Sequence, residues 1–158
     1  MSSGFIQNKS GYPYFMASRT ANFTLLANSG AATIIPFDEQ KDDNGGNVYN
    51  PSTYKFTAPV RGLYQFNAAL SIINNNSDTS DDSHTWGFLK KGITRFALKD
   101  NWGGRTTNAK ELSCAFSISM LLEVNDTMAV YYEGKQDAEI FLEESFFSGH
   151  LVQKFNDD

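Results

Sequence analysis

Two alternating stretches constrain this chain more than any other feature. In residues 63–73, LYQFNAALSII, Tyr64, Phe66, Ala68, Leu70 and Ile72 point one way. Gln65, Asn67, Ala69, Ser71 and Ile73 point the other way. Residues 112–122, LSCAFSISMLL, repeat the pattern: Leu112, Cys114, Phe116, Ile118, Met120 and Leu122 against the small Ser113, Ala115, Ser117 and Ser119. A period of two sustained this long means a strand with one face on a core. A chain with two such strands must find a second layer to cover them, and a β-sandwich supplies one.

The rest of the sequence reads the same way. Short strand candidates lie at 14–19, 22–26, 33–40, 54–57, 85–91, 94–98, 127–133, 139–142 and 146–153. Asn28-Ser29-Gly30, the run 41–47, Gly92 and Asn125-Asp126 supply turns. Pro36 interrupts its strand and predicts an edge or a bulge there. Pro59 and Gly62 set a tight corner into the strand 63–73. Residues 74–83, NNNSDTSDDS, and 100–110, DNWGGRTTNAK, are long polar loops. No amphipathic helix is evident, so the expectation is all-β: an antiparallel sandwich or jelly roll. Residues 1–13 read as an N-terminal tail or linker, 14–153 as the domain and 154–158 as a C-terminal tail.

Composition excludes several function classes. The 13 Phe and 7 Tyr suit a pleated, half-buried surface. The net charge is −5, and no Lys/Arg cluster is long enough to track a phosphate backbone, so nucleic acid is not an expected partner. No apolar run approaches the roughly 20 residues of a spanning helix, so membrane insertion is not expected. No secretory signal core is present in this chain. Cys114 is the only cysteine, which excludes an intrachain disulfide and leaves packing to hold the fold. An enzyme is not expected either. His84, His150 and an inward-facing Cys114 form no catalytic pattern, and no G-x-S-x-G, HExxH or Walker motif occurs.

A series of short motifs then appears in one order along the chain. F-x-A-x-R is Phe15-Met16-Ala17-Ser18-Arg19, followed by Ile34, Ile35, Phe37 and Asp38. Asn44, Gly46, Tyr49, Thr53, Lys55 and Phe56 lead to the corner Pro59, Gly62, Tyr64 and Phe66. Lys90-Lys91-Gly92, Leu122-Glu123-Val124-Asn125-Asp126 and Phe147-Ser148-Gly149-His150-Leu151 complete the set. Together these resemble the C1q globular domain, a relative of the tumour necrosis factor fold. The chain departs from the family at Tyr54, where T-G-K-F has glycine, and in the acidity of 74–83. The resemblance implies a ten-stranded jelly roll forming a compact homotrimer, often on a collagen-like or coiled-coil stalk. It also implies an extracellular, virion-surface or cell-surface setting.

Candidate site residues follow from both readings. Trp102 in a Gly-rich loop, with Asn101 and Arg105 beside it, suits stacking on a sugar or anchoring a protein. The competing reading folds Trp102 back over the sandwich end or into the trimer axis. Asp78, Asp81 and Asp82 add an acidic loop at a prospective ligand surface. The small Ser113 and Ser117, with Tyr14, Tyr131 and Phe155 as aromatics left over from the core, are candidates for a threefold seam. Ordinary solvent-facing residues are the competing reading. No cofactor is required. The resemblance implies calcium in some members, with Asp100 at a matching position and Glu111 nearby; the competing reading is a solvated loop. Two functions are therefore carried forward: a non-enzymatic recognition head binding protein or glycan through its end loops, at the tip of a fibre or stalk, or a purely structural trimerisation cap with no ligand of its own.

Overall fold

The computed structural model describes residues 12–25, 31–43, 46–73, 83–101, 111–134, 138–140 and 145–155. Among them the strands are β1 (Tyr14–Ser18), β2 (Phe23–Leu25), β3 (Thr33–Ile34), β4 (Glu39–Asp43), β5 (Tyr49–Asn50), β6 (Lys55–Thr57) and β7 (Gly62–Ile73). Then follow β8 (Ser83–Lys90), β9 (Thr94–Asn101), β10 (Glu111–Leu122), β11 (Thr127–Gly134), β12 (Ala138–Ile140) and β13 (Phe146–Lys154). No described residue is helical. The first sheet runs β4-β1-β13-β7-β10 and the second β5-β6-β11-β8-β9, with every pairing antiparallel. Short strands are added to this ten-stranded jelly roll. β12 and β2 continue the first sheet along β7, and β3 joins β11 in the second.

The alternation places the side chains as expected. On β7, Tyr64, Phe66, Ala68 and Leu70 are buried, while Leu63, Gln65, Asn67 and Ala69 are partly exposed. Met128, Val130 and Tyr132 of β11 face the same core. The core is aromatic across both layers. Phe15 stacks on Tyr49 at 4.9 Å and meets Phe147 edge-on at 4.9 Å. Phe66 contacts Phe56 at 5.2 Å, and Trp86 lies 4.8 Å from Tyr132. Such pairs contribute roughly 0.5–1.5 kcal/mol each beyond area burial.

The motifs have packing reasons. A Cβ on Gly149 would stand 2.5 Å from a Phe66 ring carbon and 2.8 Å from one of Phe15, so this site admits only glycine without movement. At Gly62 the same atom would meet the Gln153 carbonyl oxygen at 2.5 Å. The Tyr64 hydroxyl donates to the Val60 carbonyl at 2.8 Å and ties the corner to its strand. Arg19 is buried. Its Nε donates to the Ala21 carbonyl at 2.7 Å, its Nη1 to the Pro36 carbonyl, and its guanidinium lies 4.9 Å from the Phe23 ring centre.

Three local expectations change. Residues 41–43 are strand rather than turn, because β4 pairs with β1 through Asp43 across a register shift at Met16/Ala17. Pro36 lies where the chain crosses from β3 in the second sheet to β4 in the first, which explains the interrupted strand. Asp100 and Asn101 belong to β9, not to the following loop, since the ladder with β8 continues to Ser83↔Asn101. Backbone bonding extends that hairpin past the point where the side chains turn polar.

Candidate functional surfaces

The strand directions bring the flanks of two long segments to one end. Ile73 ends β7 and Ser83 begins β8; Asn101 ends β9 and Glu111 begins β10. Ser83 pairs with Asn101, and Glu111 pairs with Ile73. Segments 74–82 and 102–110 therefore leave from and return to the same end of the sandwich. The opposite end carries the corner at Gly62, the β8–β9 and β10–β11 turns, and the last residues of β13. Trp102, Arg105, Asp78, Asp81 and Asp82 lie outside the described residues. Asn101 is placed on the last rung of β9. Asp100 and Glu111 flank the second segment on edge strands of different sheets. Calcium takes six to eight oxygens, and among the described residues no group of three or more His, Cys, Asp or Glu assembles.

The second surface is the outer face of the first sheet. Its rungs follow from the register. Tyr14, His150, Gln65 and Ser119 form one rung, and Asp42, Met16, Ser148, Asn67 and Ser117 the next. Glu39, Ser18, Phe146, Ala69 and Ala115 form a third. Ser113, Ala115, Ser117 and Ser119 are all exposed. Tyr14 is 39% exposed and Met16 40%, on β1, one strand in from the β4 edge of the sheet. Tyr12 just before β1, Val152 on β13 and Leu121 on β10 are also exposed apolar residues. Polar side chains also bond on this face: Ser119 donates to the Gln65 side-chain carbonyl, and the Gln65 amide donates to the Phe66 carbonyl at 3.3 Å. Charges stand on β4, where Lys41 pairs with Glu39 at 2.8 Å and Asp42 stands beside Met16.

Beside this face is an open edge. Among the described residues β10 pairs with β7 alone and ends its sheet, as β9 ends the other. The inward row of β10, Cys114, Phe116, Ile118 and Met120, is only half-buried, although Phe116 packs edge-on against Phe88 at 5.0 Å. No charged residue occurs from Leu112 to Leu122. A long, uncharged free edge is a template for pairing unless something covers it.

One expected seam residue, Tyr131, lies elsewhere. Tyr131 is on the second sheet, facing away from the core, and is fully buried within its own protomer. Burial, above all, pushes its phenol pKa up, and its hydroxyl has no hydrogen-bond partner among the described residues. Its ring instead faces the Arg95 guanidinium at 6.0 Å, which pairs with Glu133 at 2.7 Å. Counting every aromatic outside the inward alternation as surface is what misplaced it. Phe155 is half-buried past the end of β13, 5.8 Å from the Arg61 guanidinium. Met16, Leu121 and Val152 were missed: each is an apolar residue at an outward position, a signal that the alternation carried.

A C1q domain model matches residues 14–152. The chain belongs to the C1q domain family. Its fold is shared by solved structures of low sequence identity. The globular domain of zebrafish complement 1qA protein matches with a TM-score of 0.57 and 17% identity, over 90% of this chain and 99% of that one. Eiger TNF from S. frugiperda gives 0.62 and 13%, over 92% and 94%. Murine APRIL at pH 8.5 gives 0.60 and 10%, over 89% and 99%. No curated protein matches the sequence. C1q and TNF-like domains are typically extracellular trimers and generally not enzymes. No helix among the described residues is long and apolar enough to cross a membrane.

Proposed function

We propose that this chain is a non-enzymatic recognition head that works as a homotrimer. The outer face of the first sheet and the β10 edge form the seam, and protein or glycan is engaged at the end bearing 74–82 and 102–110. The observation that carries the reading is where the exposed apolar side chains fall. Of the large hydrophobics exposed among the described residues, Tyr14, Met16, Leu121 and Val152 lie on strands of the first sheet and Tyr12 leads into it, while Ile93 and Val124 lie in turns. An apolar face next to an uncharged open edge offers two different surfaces. A face-to-edge contact is heterologous, and such contacts close into rings when the rotation allows. The small side chains of β10 let a neighbouring backbone approach closely. An obligate contact of this kind buries on the order of 2,000–5,000 Å².

Ring closure sets three copies of the loop-bearing end side by side. Weak sites then act together through effective concentration, which raises avidity by about 10²–10⁴ without new contacts. Trp102, Asn101, Arg105 and the aspartates at 78, 81 and 82 supply stacking and hydrogen-bonding groups suited to a sugar or a polar protein surface. Calcium held by Asp100 and Glu111 near the seam is a further element of the proposal, tested by melting with and without chelator.

Light scattering after size exclusion tests the assembly. The expected mass is about three times 17.6 kDa. Met16→Glu places a charge on the seam without touching the protomer core and should give a monomer with an unchanged fold by circular dichroism. A wild-type monomer at micromolar concentration would refute the trimer. A glycan and cell-surface binding screen on the trimer, with Trp102→Ala as control, tests recognition. Binding lost in the variant supports it, and a trimer that binds nothing would leave a structural cap.

A further inference from the structure

We infer that Asn125 is a site of N-linked glycosylation, and that the glycan covers the apolar turns at the end of the sandwich opposite the long segments. Asn125-Asp126-Thr127 is an Asn-x-Thr acceptor with no proline at its centre. Three more acceptors of the Asn-x-Ser/Thr form begin at Asn8, Asn22 and Asn75. Asn8 and Asn75 lie outside the described residues. Asn22 is exposed but engaged with a neighbour, and its Thr24 is tied into β2 opposite Glu139.

The turn sets Asn125 apart. The residue is exposed and stands at φ 68, a left-handed conformation that asparagine accepts more readily than most side-chain-bearing residues. Other groups hold the turn. The Asn125 backbone N–H donates to the Ala58 carbonyl at 2.8 Å, the Asp126 N–H donates to the Glu123 carbonyl at 3.0 Å, and the Asp126 carboxylate takes Lys91 at 2.8 Å. A bulky group on the Asn125 side-chain amide displaces none of these bonds.

The surroundings give a glycan something to cover. Val124, the preceding residue, is 49% exposed, and Ile93 is 81% exposed. Their two turns are joined, because the Lys91 N–H donates to the Thr127 carbonyl at 2.9 Å. Sugar laid over these tips takes apolar surface out of water without a protein partner. Asn125 also lies beyond Leu122, the last residue of β10, and away from the flanks of 74–82 and 102–110. A glycan there leaves the proposed seam and the loop-bearing end clear, and the site does not depend on either.

The donor is a lipid-linked oligosaccharide diphosphate, which a eukaryotic cell supplies to chains it exports, and C1q and TNF-like domains are typically extracellular. The Asn125 amide nitrogen bonds to the anomeric carbon of the sugar. The bond from that carbon to the diphosphate oxygen breaks, and the amide gives up one proton. The Thr127 hydroxyl completes the acceptor.

Translation of the full chain behind a cleavable signal, in the presence of glycosylating microsomes, tests the site whether or not the product folds. With Asn8→Gln, Asn22→Gln and Asn75→Gln in place, the product should be heavier by one glycan. Adding Asn125→Gln or Thr127→Ala should abolish that shift, and Thr127→Ser should keep it. A product of unshifted mass overturns the site and the covering role together. The same chain secreted from eukaryotic cells tests the cover. Enzymatic removal of the glycan should raise the binding of an apolar dye, and Ile93→Ser should reduce the excess. A shifted product whose dye binding is the same before and after removal overturns the covering role and leaves the site standing.

Discussion

Asp126 offers a sharp test of how the terminal end of the sandwich is held. Its side chain is 5% exposed. The carboxylate takes Lys91 Nζ at 2.8 Å, Lys90 Nζ at 3.4 Å and the Glu123 backbone N–H at 3.2 Å. Its backbone is engaged too: the Ala58 N–H donates to the Asp126 carbonyl at 2.8 Å, and the Asn125 N–H donates to the Ala58 carbonyl at 2.8 Å. The Asp126 carboxylate thus joins the β8–β9 turn to the β10–β11 turn, while its main chain holds the β6–β7 corner. Lys91 is more than half exposed, so that ion pair is worth no more than about 0.5 kcal/mol after solvent screening. The charge-assisted bond from Glu123 contributes about 1.5 kcal/mol, and Lys90, less exposed, somewhat less than that. Asp126→Ala should therefore cost about 2–3 kcal/mol, or a Tm lower by roughly 5–10 °C at fixed protein concentration. Asp126→Asn keeps the acceptor for Glu123 and should cost about half as much.

The pH dependence separates charge from shape. Burial pushes the Asp126 carboxyl up, but Lys91, the Glu123 N–H and Lys90 together outweigh it and hold the pKa below the ordinary carboxylate value. A folded-state value below the unfolded one means stabilisation that is present above about pH 4 and is lost as pH falls through the folded value. The Tm gap between wild type and Asp126→Asn should thus be full at neutral pH and close in acid. A gap that persists unchanged at about pH 2 would show that the charge contributes nothing, and an Asp126→Ala variant as stable as wild type would refute the hub itself.

Two core and turn substitutions test the motif reading. Tyr54 stands at φ 61, a left-handed conformation costing a side-chain-bearing residue roughly 1–2 kcal/mol. Tyr54→Gly should gain about 0.5–1 kcal/mol after glycine's larger unfolded freedom is subtracted, read as a higher urea midpoint; a clear loss would show that the ring's packing outweighs the strain. Gly149→Ala should cost about 1–3 kcal/mol, because the methyl meets the Phe66 and Phe15 rings inside a packed aromatic cluster. An alanine variant melting with wild type would mean that those rings shift freely.

The scaffold was legible because its signals are local and repeated. Each long strand declares its buried face by alternation, so Tyr64, Phe66, Ala68 and Leu70 could be placed before any coordinates. The Gly62 corner and Gly149 were readable as motif positions, while their reason, backbone and rings within 2.5 Å, needed the fold. Strand ends were less legible. The 41–47 run is rich in turn formers, yet β4 extends to Asp43 because β1 supplies a backbone partner. Asp100 and Asn101 look like loop by composition and are strand by pairing. Tyr131 shows the limit of a two-face reading: alternation put it opposite the core, and outward was equated with exposed. The residue is outward on the second sheet and still fully buried.

The surfaces divide in the same way. Segments 74–82 and 102–110 are separate in sequence, and the pairings Ser83↔Asn101 and Ile73↔Glu111 bring the residues that flank them to one end. The need for a covering partner was closer to the sequence. An eleven-position run without charge, proline or glycine, from Leu112 to Leu122, is unsafe at a free edge. The fold makes it an edge, since among the described residues β10 has β7 as its one partner. On the proposed reading that edge is covered by a second copy of the same chain, which the exposed Tyr14 and Met16 on the adjoining face would meet. It follows that a variant blocked from assembling, such as Met16→Glu, should lose more than its quaternary structure. With β10 uncovered it should aggregate on mild heating faster than the trimer does, followed by light scattering and thioflavin fluorescence. Adding a charge to the edge, as in Ser117→Lys in that same background, should suppress the aggregation. If the monomeric variant stays soluble through its melting transition, β10 is not the exposed template that its sequence and position imply.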